Sequence, residues 1–174
     1  MLTMGALDAS HRAAVNRLLT ATGAFSSDEV GVALELFDEV FAAPWRGVAD
    51  YEFVGAFDPI GALAGYACYG PTPGTEGTYD LYWLAVEPAR QGRGVGAALL
   101  AEVERCVGAH GGRLLVVETS GRDPYAPARR FYGAHGYAVA ARVRDFYAPA
   151  DDRVVFTRYF RSPPSPAPTG AQPS

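Results

Sequence analysis

Between Tyr79 and Ala109 the chain makes a transition that few folds accommodate. The run Tyr79-Asp80-Leu81-Tyr82-Trp83-Leu84-Ala85-Val86 is aromatic and β-branched, and reads as a strand. A turn containing Pro88 follows, then Gln91-Gly92-Arg93-Gly94-Val95-Gly96-Ala97. A helical pattern then runs from about Val95 to Ala109, with Val95, Leu99, Val103 and Cys106 inward. Alternating glycines cost backbone entropy, so a loop of this kind is retained where something uses it. Its N–H groups can approach a ligand unobstructed, and the helix start adds unsatisfied donors and a positive dipole end. With Arg90 and Arg93 beside it, the loop suits a pyrophosphate.

The rest of the chain supplies both strands and helices around this unit. A short helix is expected over residues 8–20, with Ala14, Leu18 and Leu19 on one side. Ser26 and Glu29 form a capping box, flanked by Phe25 and Val30 at the positions of a hydrophobic staple. The helix they start should reach about Ala42, burying Val30, Leu34, Phe37 and Phe41. Strands are expected at Tyr51–Phe57, Ala62–Tyr69 and Leu114–Glu118, and a helix at Ala126–Ala134 closed by Gly136. A final strand pair, Tyr137–Arg144 and Arg153–Arg161, is joined by a loop carrying Phe146, Tyr147, Asp151 and Asp152. This order predicts one mixed α/β (α+β) domain over residues 1–161. Residues 162–174, mostly Pro, Ser, Ala, Thr and Gly, are expected to be a disordered tail.

Composition narrows the function. At 174 residues, 49% hydrophobic and 20% charged, the chain is one globular domain. A net charge of -4 argues against a nucleic-acid partner. All 15 basic residues are arginine, which excludes Schiff-base and phosphate-loop lysine chemistry. No apolar run approaches a membrane span and the N-terminus lacks the pattern of a secretory signal, so a cytoplasmic protein with no membrane partner is expected. Cys68 and Cys106 read as small buried hydrophobes in a reducing compartment. His11, His110 and His135 lack zinc-ligand spacing, so no metal is expected.

Two ligand classes fit the glycine loop. Gly92-Arg93-Gly94-Val95-Gly96-Ala97 formally matches the dinucleotide fingerprint, and Glu118 lies about 20 residues on, where a ribose-binding acid would fall. That match leaves too few downstream βα units for a doubly wound sheet. The segment Gln91-x-x-Gly94-x-Gly96 instead resembles the pyrophosphate loop of the GNAT superfamily of acetyl-CoA-dependent N-acyltransferases. Leu84-Ala85-Val86-Glu87-Pro88 is similar to that family's strand and following turn. Arg129-Arg130-Phe131-Tyr132-Gly133-Ala134-His135-Gly136-Tyr137 is similar to its helix ending in an aromatic pair and a Gly-aromatic step.

The resemblance implies a central mixed, largely antiparallel sheet of six to seven strands, splayed at its centre and flanked by about four helices. It implies acetyl-CoA as co-substrate, an amine acceptor as the other partner, and either a monomer or a homodimer. Backbone groups of Leu84, Ala85 and Val86 would meet the pantetheine arm. Gln91, Gly92, Arg93, Gly94, Val95, Gly96 and Ala97 would hold the pyrophosphate. Many members carry an asparagine that contacts the cofactor three residues before the alanine of the second motif. Here that alanine is Ala128, and Tyr125 takes the asparagine's place. Tyr132 matches the general acid of many members. Asp80 and Glu118 match the base positions of two subgroups, and each could instead anchor the substrate ammonium or be a solvated strand end. The implied activity is N-acetyl transfer to a small molecule, an amino acid or a peptide N-terminus. A non-catalytic acyl-CoA-binding module is the alternative, and a dinucleotide-binding protein a more distant one.

Overall fold

The computed structural model describes residues 1–41 and 51–160. The expected end of the second helix at Ala42, the last residue of the final strand at Arg161 and the tail 162–174 lie outside the described residues. Seven strands form one sheet in the order β1-β2-β3-β4-β5-β7-β6. They are β1 Thr3–Ala6, β2 Glu52–Phe57, β3 Leu63–Pro71, β4 Thr78–Val86, β5 Leu114–Ser120, β6 Ala138–Ala148 and β7 Asp151–Tyr159. Among these, β4 and β5 are the parallel pair and the other neighbours are antiparallel. The helices are α1 Arg12–Thr22, α2 Ser27–Phe41, α3 Val95–Ala109 and α4 Ala126–Ala134.

Strand alternation sorts the core onto two faces. Phe53, Tyr66, Cys68 and Ala85 pack with Val15, Leu19, Ala33 and Phe37 of α1 and α2. Val54, Ala67, Tyr69 and Leu81 pack with Val95, Leu99, Val103 and Val107 of α3, and with Tyr132 of α4. The capping box forms as its spacing predicts: the Glu29 N–H donates to Ser26 Oγ at 3.2 Å, and the Ser26 N–H donates to Glu29 Oε2 at 2.7 Å. No described helix is long and apolar enough to cross a membrane.

The functional consequence lies at the sheet's centre. β4 pairs with β5 only from Thr78 to Leu81 against Leu114 to Val117. On the other side of β4, Cys68 opposes Trp83 while Tyr69 opposes Leu81, so Tyr82 is an extra residue. A bulge bends its strand and breaks the alternation. Tyr82 and Trp83 accordingly pack against the same α1/α2 face. β4 leaves β5 at this bend, and a cleft opens between them.

Several elements differ from the sequence pattern, among them α1, which runs from Arg12 to Thr22 and not over 8–20, and β3, which reaches Pro71 and not Tyr69. β1 is short and aperiodic, and exists because β2 offers it a free edge. β5 runs two residues beyond Glu118, since β7 continues to pair with Thr119 and Ser120. Phe146 and Tyr147 belong to β6, and Asp151 and Asp152 to β7, rather than to a long loop. The hairpin is tightened by side chains. The Asp145 carboxylate accepts the Ala150 N–H at 2.7 Å, and the Asp152 carboxylate accepts the Asp145 N–H at 3.1 Å. Asp145 and Ala150 take positive φ there, 53° and 64°.

Candidate active site

A cavity of about 940 Å³ fills the opening between β4 and β5. One wall is a continuous stretch of chain. Leu81 to Val86 line it, followed by Gln91, Gly92, Gly94, Gly96 and Ala97. Gly94 caps α3 at φ 82°, a conformation that disfavours any side chain. A Cβ on Gly96 would meet the Phe131 ring of α4 at 3.4 Å, an ordinary van der Waals contact. The first bond of α3 runs from the Ala98 N–H to the Gly94 carbonyl at 3.0 Å. The N–H groups before it therefore have no partner inside the helix and face an anion favourably.

The loop is braced from behind. The Gln91 side-chain amide donates to the Val86 carbonyl at 3.2 Å, so this side chain ties the loop to the end of β4. Arg90 donates to Asp58 at 2.5 Å and to Glu87 at 2.8 Å. Asp58 is itself buried, and accepts the Ile60 and Ala62 N–H groups. These bonds hold its carboxyl below the usual range, the Ala62 N–H first among them. Arg90, Arg93 and Val95 do not line the cavity. Arg90 serves as a brace between two turns.

Tyr132 lines the other side of the cleft. It is 7% exposed and packs edge-on against Phe131 and Tyr137, with ring centroids 5.3 and 5.6 Å away. Burial pushes its phenol up, so it holds its proton well above neutral pH. Its hydroxyl makes no hydrogen bond among the described residues. Glu118 also lines the cavity, ion-paired with Arg153 of β7. Asp80 does not line it. It lies in the paired part of β4, where its carboxylate accepts the Thr72 hydroxyl at 2.6 Å. The two acids aligned with the family's base positions are thus separated by the structure.

Tyr125 reaches the cavity in an arrangement the motif did not imply. Its hydroxyl donates to Glu29 Oε1 at 3.0 Å, across 96 residues of sequence. Burial, with Glu29 next, pushes the Tyr125 phenol up to about 12. Glu29, Thr119, Ser120, Arg122 and Asp151 complete this wall. Sequence reasoning gave the Ser26–Glu29 pair only a capping role. Its partner Tyr125 lies too far along the chain for any local signal to join them. Thr119 is 8% exposed, and its buried hydroxyl has no partner among the described residues.

The comparisons with known proteins agree with this geometry. The acetyltransferase (GNAT) domain profile matches residues 48–139. A GNAT-family protein from Desulfovibrio desulfuricans is 44% identical, and its crystal structure aligns with TM-score 0.83 over 91% of this chain and 99% of that one. The Escherichia coli ribosomal-protein-S18-alanine N-acetyltransferase shares the fold at 20% identity, with TM-score 0.71 over 90% of this chain and 92% of that one. An aminoglycoside 6'-N-acetyltransferase complexed with coenzyme A does so at 16% identity, with TM-score 0.70 over 93% and 99%. No curated protein matches the sequence.

Proposed function

This chain belongs to the GNAT family of acetyltransferases, and on that premise we propose that it moves an acetyl group from acetyl-CoA directly to the nitrogen of a primary amine. The observation that carries the proposal is the single cavity that brings Tyr132, Glu118, the free side of β4 and the start of α3 together. The open side of β4 can add an extended amide-bearing arm as a further strand would. The N–H groups from Gly92 to Ala97 suit the pyrophosphate, each charge–dipole contact contributing about 0.3–1 kcal/mol.

The acetyl-CoA thioester supplies the activated carbonyl. An amine with a pKa near 10.4 is neutral in only about one molecule in 2,500 at pH 7, so its proton must be removed before attack. In this reading Glu118, which lines the cavity next to Val117 and Thr119 of β5, accepts it directly or through a water. As the new C–N bond forms and the C–S bond breaks, the departing sulfur needs a proton. Tyr132 holds one, and its hydroxyl has no competing partner among the described residues. In this reading Asp80 orders the turn through Thr72, and Cys68 and Cys106 take no part. Cys68 is buried among aromatics, and Cys106 lies on α3 beside Glu102.

Release of free thiol from acetyl-CoA tests the proposal across a panel of amino acids, polyamines, aminoglycosides and short peptides. Amine-dependent release is expected. Acetyl-CoA binding without release for any amine would overturn the transferase reading in favour of a non-catalytic acyl-CoA-binding module.

A further inference from the structure

The acceptor wall of the cavity carries more negative charge than the reaction needs. Glu29 reaches it from the first turn of α2, Glu118 from β5 and Asp151 from the start of β7. Glu118 is paired with Arg153, whose guanidinium lies 4.8 Å from the centre of the Phe146 ring. Glu29 and Asp151 have no cationic partner among the described residues. Neutral donors hold them in place: the Ser26 N–H and the Tyr125 hydroxyl at Glu29, and the Ser120 hydroxyl at Asp151. Asp151 is only 9% exposed. A carboxylate so enclosed is costly without an opposite charge.

Three further observations point to a ligand. Thr119, next to Glu118 on β5, lines the same cavity with its buried hydroxyl unpartnered. Tyr147 lines the same cavity, and burial raises its phenol pKa, with Glu118 next, Arg153 opposing, and Asp151 and Glu29 adding to the rise. The acids are also dispersed. Among the described residues no three His, Cys, Asp or Glu side chains converge as a metal ion requires. Acids spread along a wall with tyrosine rings suit an extended organic cation.

We propose that Glu29 and Asp151 anchor the acceptor, and that the acceptor is a diamine or polyamine whose second ammonium they hold. This rests on the transferase reading and names its substrate class. A carboxylate gripping the reacting nitrogen would stabilise the protonated form, which cannot attack. Held on a second nitrogen, the same charge positions the substrate throughout the reaction without opposing deprotonation. Arg122 also lines the cavity and would suit the carboxylate of an amino acid. It is one cation opposite two acids that no other cation neutralises.

The test is binding, which does not depend on turnover. The full chain, saturated with CoA, is titrated calorimetrically with spermidine, butylamine and alanine. Glu29→Gln and Asp151→Asn keep an oxygen for the neutral donors and remove only charge. Spermidine is expected to bind about tenfold tighter than butylamine, with each substitution losing most of that margin. Added salt should narrow the margin as well. Equal affinities for spermidine and butylamine would overturn the proposal. So would a margin that both variants retain. Tighter binding of alanine, lost in Arg122→Gln, would do the same and assign an amino-acid acceptor. Selective spermidine binding without thiol release would leave the subsite standing and sink the transferase reading instead.

Discussion

On one wall of the cavity the inward groups come from a single run of chain, Leu81 to Ala97, and at its glycines they are backbone. On the other wall Glu29, Glu118, Tyr125, Tyr147 and Asp151 are side chains from five separate parts of the fold. On the proposed function the first wall would meet the ligand part that does not vary among substrates of such a reaction. Backbone donors at fixed spacing suffice there, and a local sequence pattern encodes them. The second wall, on the same reading, would have to fit one acceptor. It is assembled from residues that meet only after the sheet has formed. Tyr132 lines the same cavity, and the largest predicted effect falls on it.

Tyr132→Phe removes one oxygen and leaves the ring among Phe131, Tyr137 and Phe156. Turnover should fall by about two to four orders of magnitude, with melting temperature and CoA affinity nearly unchanged. A pH profile adds an independent check. Burial raises the phenol's pKa, and only its protonated form can donate. The alkaline loss of kcat attributable to Tyr132 should therefore lie above pH 10, the unperturbed value, and not below it. A near-wild-type rate in the phenylalanine variant would return Tyr132 to packing.

The backbone wall is broken most directly at Gly94. Open space surrounds the position a Cβ would take, so Gly94→Asp fits without a clash. It must adopt φ near 82° and places a negative charge at the start of α3. Strain of about 1–3 kcal/mol and charge repulsion act in the same direction, so CoA affinity should fall by about a hundredfold or more. Equilibrium titration with CoA checks this. Unchanged affinity would remove the loop from the binding site and collapse the contrast between the walls.

That contrast also explains what could be read in advance. The strand–loop–helix unit, the capping box at Ser26 and the left-handed Gly136 are local patterns, and each appears where its residues require. The bulge at Tyr82 is not local. It depends on how β3 pairs with β4, so the opening of the cleft could be expected only from the family resemblance. The Arg90 charge was visible, yet its engagement by Asp58, 32 residues away, was not. Glu29 was visible only as half of a cap. Its hydrogen bond with Tyr125 joins the start of α2 to the residue that precedes α4, 96 residues away.

Asp80 and Glu118 give the finest test, because motif alignment favours both and the cavity holds only one. Asp80 pairs with Gly70 on one side and Val116 on the other, below the point where β4 leaves β5. Its carboxylate is engaged by Thr72 and lies outside the cavity lining. Asp80→Asn keeps an oxygen for that part-buried hydroxyl contact, so kcat/KM should stay within about threefold of wild type. Glu118→Gln should lower kcat by about a hundredfold if Glu118 takes the amine's proton, with an acid limb in the pH profile that disappears in the variant. A loss confined to KM would make Glu118 an anchor like Glu29, with water as the proton acceptor. A large kcat defect in Asp80→Asn alone would move the base to the paired end of β4. The splay between β4 and β5 would then have to extend further down the sheet during catalysis than the pairing from Thr78 to Leu81 permits.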